Sequence, residues 1–144
     1  MQQCELYFVV TNTDYAKSLG LEVWLDQEKI TDIDHVTEPC EIHHKFNDNE
    51  GDHVLQIKLK NKTQQHTQIN SEGCIISDAC LCVQDINFDK IQLQPIMTKL
   101  AEYLHDHNGT TDPVTDKFYG NLGCNGVVSL KFTSPVYVWL LQNL

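Results

Sequence analysis

The ten residues "HVLQIKLKNK", His53 to Lys62, alternate in character along their length. Leu55, Ile57 and Leu59 fall on one side of an extended chain, with Gln56, Lys58 and Lys60 on the other. A period of two describes a strand with one buried face and one wet face. Such a strand needs partners along its edges and a second layer over its apolar side. The segment therefore commits the chain to a core built from sheets. Lys58, Lys60 and Lys62 read as one solvated face of this strand.

Other segments follow the same logic. "CELYFVV" (4–10) and "LEVWLD" (21–26) are rich in β-branched and aromatic residues, "CEIHHKF" (40–46) follows Pro39, and "ACLCVQDINFDKIQL" (79–93) gives one long strand or two with a bend. Turn clusters such as "NDNEGD" (47–52) and "NSEG" (70–73) separate them. Short strands at near-regular spacing imply an all-β, jelly-roll-like antiparallel sandwich. With 144 residues and no repeat or low-complexity linker, a single domain spanning 1–144 is expected.

Two segments stand apart. In "LQPIMTKLAEYLHD" (93–106), Ile96, Leu100, Tyr103 and Leu104 have helical spacing and Pro95 suits a helix start, while a strand running into "HDHNG" is the competing reading. Near the C-terminus, Asn125-Gly126 predicts a tight hairpin turn before a strand from Val127 to Phe132. Ser134 and Pro135 then suit the N-cap and first position of a short terminal helix. That helix is too short to hold alone, so residues 134–144 are expected to dock, on their own sheet or on a neighbouring subunit.

The formal charge of −10 argues against nucleic acid, whose binders place cations against phosphates. No apolar run approaches the roughly 20 residues that span a bilayer. The opening "MQQCELYFVV" lacks a signal-peptide pattern, so synthesis in a host cytoplasm is expected. The six cysteines contain no C-x-x-C pair and read as reduced, small core residues.

Chemistry-bearing motifs are sparse. "LHDHNG" places His105 and His107 on one face of a strand, a spacing that chelates zinc or copper, with Asp112 or Asp116 as a third ligand. The plainer reading makes them exposed residues of a turn set by Asn108-Gly109. His43 and His44 point to opposite faces of their strand. Neither a G-x-S-x-G elbow nor a phosphate-cradling glycine loop occurs, and no catalytic residue is assigned. Trp24 alternates with Leu25; with Leu21, Val23 and Leu25 facing the core, Trp24 faces out beside Glu22, as a ligand platform or an interface anchor.

Two resemblances add to this reading. "LEVWLDQEKITDIDHV", "GDHVLQIKLKNKT" and "DACLCVQDINFDKIQL" follow an order that resembles calcium-dependent xylan-binding modules over residues 20–93. The family's turn glycine is Gln27 here, and Asp78 and Asp85 stand nearest to its calcium acids. "EYLHDHNGT" and "FYGNLGCNGVVSLKFTSPVYVWLLQNL" resemble uncharacterised proteins of marine, T4-like tailed phages. Together they imply a non-catalytic structural or adhesive module of a virion: a capsid decoration or a tail or baseplate accessory. Its partners would be other virion proteins in an oligomeric assembly, met through Trp24, Val136, Trp139, Leu140 and Leu144. The alternative is a carbohydrate-binding module that takes glycan and calcium.

Overall fold

The computed structural model describes residues 3–63, 67–69, 71–73, 75–107, 109 and 111–143. In chain order they form β1 (Gln3–Asn12), β2 (Gly20–Leu25), β3 (Glu28–Ile33), β4 (Cys40–Asn47), β5 (Gly51–Lys60), β6 (Thr67–Ile69), β7 (Ile75–Asp78), β8 (Leu81–Phe88), β9 (Ile91–Gln92), α1 (Gln94–Leu100), β10 (Glu102–His105), β11 (Val114–Lys117), β12 (Asn121–Leu122), β13 (Gly126–Ser134) and α2 (Val136–Asn143). The expected all-β sandwich with a short C-terminal helix is what forms. One antiparallel sheet runs β12-β8-β1-β4, with β9 also on β8; the other runs β11-β10-β13-β5-β2-β3, and β6 pairs with β7 apart from both.

The alternating segment lies at the middle of the larger sheet. Leu55, Ile57 and Leu59 of β5 are buried, and their neighbours in register are Leu25, Val23 and Leu21 of β2 and Leu130, Val128 and Gly126 of β13. Leu6, Phe8 and Val10 of β1 with Leu81, Ile86 and Phe88 of β8 supply the facing layer. At one end of the sandwich Phe46, Phe88, Phe132 and Trp139 pack edge-on or tilted, with centroids 4.8–6.4 Å apart. Such arrangements align ring edges with ring faces.

The turns explain several departures from the sequence reading. Residues 79–93 form two strands joined by Asp89 and Lys90, both at positive φ (49° and 70°), as a type I′ turn requires. Residues 93–106 satisfy both competing readings in succession, helix α1 and then strand β10. Asn125-Gly126 makes no hairpin: β12 belongs to one sheet and β13 to the other. Instead the Asn125 amide accepts the Lys62 N–H at 2.9 Å and donates to the Lys62 carbonyl at 2.8 Å, like a piece of strand. Lys62 also leaves the face it was expected to share with Lys58 and Lys60. Asn61 takes φ 68°, the chain turns over, and the Lys62 side chain becomes fully buried.

The five described cysteines are all free, and Cys74 lies outside the described residues. Burial pushes the thiol pKa up at Cys4, Cys40, Cys80 and Cys124. Among the described residues no helix is long and apolar enough to cross a membrane.

Candidate functional site

The outer face of the six-stranded sheet carries a broad concave surface. Strand register sets Asp32, Glu22, Lys58, Val127 and Leu104 in one row across it, and Lys29, Trp24, Gln56 and Ser129 in the next. Trp24 faces outward, half-buried, as the alternation predicts. Its indole N–H donates to Glu22 Oε1 at 3.1 Å, and the Lys29 ammonium stands 5.5 Å from the ring centroid. Both contacts fix the ring, the second as a cation–π pair. A groove of about 720 Å³ runs past Trp24, Val127, Leu104 and Pro113, with Gln56, Lys58, Asp106 and Asn125 as its polar lining.

Lys60 organises the charges at one end of that groove. Its ammonium reaches Asp32, Asp34 (3.2 Å) and Glu22 (3.4 Å). Hydrogen bonds from Lys60 and then Lys29 hold the Asp32 carboxyl below the usual range. The Trp24 N–H, with the nearby lysines, does the same for Glu22. The bond to Asp32 in turn raises Lys60.

The C-terminal segment docks on the chain's own sheet, the first of its two expected placements, and does not offer Val136, Trp139 and Leu140 as an exposed interface. Val136, Trp139 and Leu140 are buried in the chain's own core, because α2 lies against the end of β13 and its indole meets Phe88 and Phe132. The exposed apolar residues of α2 are Tyr137, Val138 and Leu141, and Leu144 lies outside the described residues. The cap also differs: Ser134 is engaged elsewhere, and the Val136 N–H donates to Asp48 Oδ1 at 2.9 Å.

What engages Ser134 is an arrangement that sequence reading missed. Its hydroxyl lies 2.9 Å from His53 Nε2, and His53 Nδ1 lies 2.9 Å from Asp26 Oδ2. The order matches a serine–histidine–carboxylate triad, yet the three positions are far apart in sequence and no motif announces them. The chain of bonds is poorly placed for acyl transfer. Ser134 is buried, Pro135 after it has no N–H, and the next N–H is held by Asp48. Neither of the two positions after Ser134 thus offers an N–H to an oxyanion. The bonds instead clamp the β2–β3 turn to β5 and β13. Asp26 itself carries the positive φ (57°) of that turn, so Gln27 needs no glycine.

The "LHDHNG" histidines divide between the two readings. His107 is exposed, at φ 52° in the turn. His105 is not a turn residue but the inward-facing end of β10, with 7 % exposure, so the expectation that both are exposed is corrected. Its Nε2 lies 2.7 Å from Asp116 Oδ2, on the neighbouring strand β11. Asp112 is exposed and takes no part. The nearest further ligand is Cys124, which nothing in the sequence singled out.

Asp78 and Asp85 do not form the calcium pair suggested by resemblance. Asp78 Oδ1 lies 2.5 Å from the buried Lys62 ammonium. Asp85 is an exposed bulge residue at φ 57°, where the β1–β8 register shifts. Leu81 to Asp85 alone spans roughly 13 Å of strand at about 3.3 Å per residue, too far for one cation. These residues do not fit calcium.

No protein-family model matches the chain, and no curated protein or solved structure matches it either.

Proposed function

We propose that the chain is a non-catalytic adhesive module of a phage particle, a capsid decoration or a tail or baseplate accessory, that meets another virion protein through the Trp24 face. The observation that carries the contact face is the groove beside Trp24: an indole fixed by Glu22 and Lys29, apolar floor from Leu104 and Val127, and a charged rim. Half-buried aromatics in such settings are the usual anchors of interfaces. Assignment to a particle rests on the resemblance of the C-terminal third to phage proteins. The position of Ser134, buried and followed by a proline and by an N–H that Asp48 already holds, supports the non-catalytic reading.

A glycan is the second occupant that the same groove suits, since an indole face with amide and charged neighbours stacks on a sugar ring and hydrogen-bonds its rim. Calcium has no part in that version. Quantifying the chain in purified particles, wild type against Trp24→Ala, tests the first reading. A fixed copy number that falls in the folded variant is expected. A chain absent from particles would overturn it, and saturable glycan-array binding lost in Trp24→Ala would establish the second.

A further inference from the structure

We propose that His105, His107 and Cys124 form a binding site for one zinc-class divalent cation, with Asp116 orienting His105 from behind. The three side chains arrive from separate places: the end of β10, the turn after it, and the link between β12 and β13. One ring nitrogen of each histidine and the Cys124 sulfur all lie within 4.8 Å of one another. Donors in a tetrahedral zinc site stand about 3.3–3.8 Å apart, given metal–donor lengths of about 2.0–2.3 Å. Closing the difference takes roughly an ångström, which the exposed His107 side chain can supply by rotation.

The surroundings already select the right lone pair. Asp116 accepts the Nε2 proton of His105 at 2.7 Å, which leaves Nδ1 as the acceptor atom. Nδ1 accepts the His107 backbone N–H at 3.2 Å, a bond that uses the same lone pair and that the cation would replace. A carboxylate behind a ligating histidine is the recurrent support of zinc sites. Cys124 is held too: the Tyr103 hydroxyl accepts its N–H at 2.8 Å and donates to its carbonyl. The cleft in front, about 530 Å³ and bordered by Lys117, Tyr119 and Gly123, leaves room for water as the fourth ligand. Two imidazoles and a thiolate favour zinc over calcium or magnesium, which prefer oxygen donors. The site would tie the β10–β11 hairpin to the link before β13.

The test uses the full chain, reduced and stripped with chelator, titrated with cobalt(II) and followed by absorption. Saturation at one equivalent is expected, with visible bands of tetrahedral cobalt and a near-ultraviolet band from a bound thiolate. Zinc should displace the cobalt. Cys124→Ser should lose the near-ultraviolet band, and Asp116→Asn should weaken binding about 10–100-fold. His107→Ala removes an exposed ligand side chain and should weaken binding at least about tenfold. Circular dichroism checks that each variant folds. No saturable band in the folded wild-type chain would overturn the proposal, as would cobalt binding unchanged in His107→Ala with the thiolate band kept in Cys124→Ser.

Discussion

The Lys62 ammonium, wholly shielded from solvent, lies 2.5 Å from Asp78 Oδ1 and 2.5 Å from the Gly123 carbonyl oxygen. One cation thereby joins the exit of β5, the approach to β8 and the link between β12 and β13. Removing one member of a buried pair costs more than the pair contributes, because the other charge stays behind. Asp78→Ala strands the buried cation and should destabilise by about 3 kcal/mol, the low end for such changes because Asp78 is 36 % exposed. Lys62→Met leaves only a carboxylate that water can reach and should cost less. Urea unfolding of both variants checks the order; Lys62→Met as the more damaging change would contradict it.

Gly126 gives a second contrast. A Cβ there would fall on the Leu104 carbonyl oxygen and within 2.8 Å of His105 Cβ. Neither can retreat, since Leu104 and His105 are paired on both edges of β10. A Cβ at Gly20 would meet Lys60 Cγ at 2.7 Å and Asn61 Nδ2 at 2.8 Å, with the Asp34 carbonyl at 3.1 Å; the closest atoms belong to side chains, but Lys60 would have to bend at its stem while its ammonium stays on three carboxylates. Overpacking typically costs about 1–3 kcal/mol, and Gly126→Ala, which meets paired backbone, should reach or exceed the top of that range while Gly20→Ala, which meets mainly side chains, should cost less. Thermal melts of the two variants decide it.

The sequence is most legible where one strand has one wet side. The alternation at Leu55–Lys60 and the outward position of Trp24 follow from the period alone. It is least legible where contacts depend on a left-handed residue or a distant partner. Asn61 at φ 68° inverts the face of Lys62, and Asp85 at φ 57° turns an apparent ligand into a bulge. Asn125-Gly126 is a strong turn signal, yet here the glycine serves close strand approach and the asparagine pairs with Lys62. Ser134, His53 and Asp26 meet only because β5, β13 and the β2–β3 turn converge, and Cys124, whose backbone is held by Tyr103, lies near the histidines from a distant part of the chain. Short-range pattern carries none of these.

Acid should weaken the fold through the Lys60 cluster. Asp32 and Glu22 have folded-state pKa values below their ordinary ones, so their stabilisation is present above the ordinary carboxylate range. It is lost as pH falls through the depressed folded values. Lys60 is shifted upward, so its share is kept at neutral pH and lost only above the ordinary lysine range. Lys60→Met should lower stability at neutral pH and flatten the acid limb, the two curves converging at low pH. The groups are solvent-screened, so added salt should shrink the difference. Parallel curves in denaturant titrations between pH 2 and pH 7 would show that the cluster contributes no acid sensitivity.

Removal of residues 136–144 separates docking from folding. The expected partner patch is inside the chain: Val136, Trp139 and Leu140 are 2 %, 6 % and 3 % exposed. Each such side chain is worth about 1.5–3 kcal/mol on burial, and loss of the indole would also uncover Phe88 and Phe132. The sum competes with a typical domain stability of about 5–15 kcal/mol. The truncated chain should therefore melt far below the full chain or fail to fold, as read by near-ultraviolet circular dichroism. Leu141→Ser offers the control, because Leu141 is 74 % exposed and its loss should leave the melt unchanged. A truncated chain that melts like the full one would mean that α2 adds nothing to the core, and the role of Trp139 would return to a partner's surface.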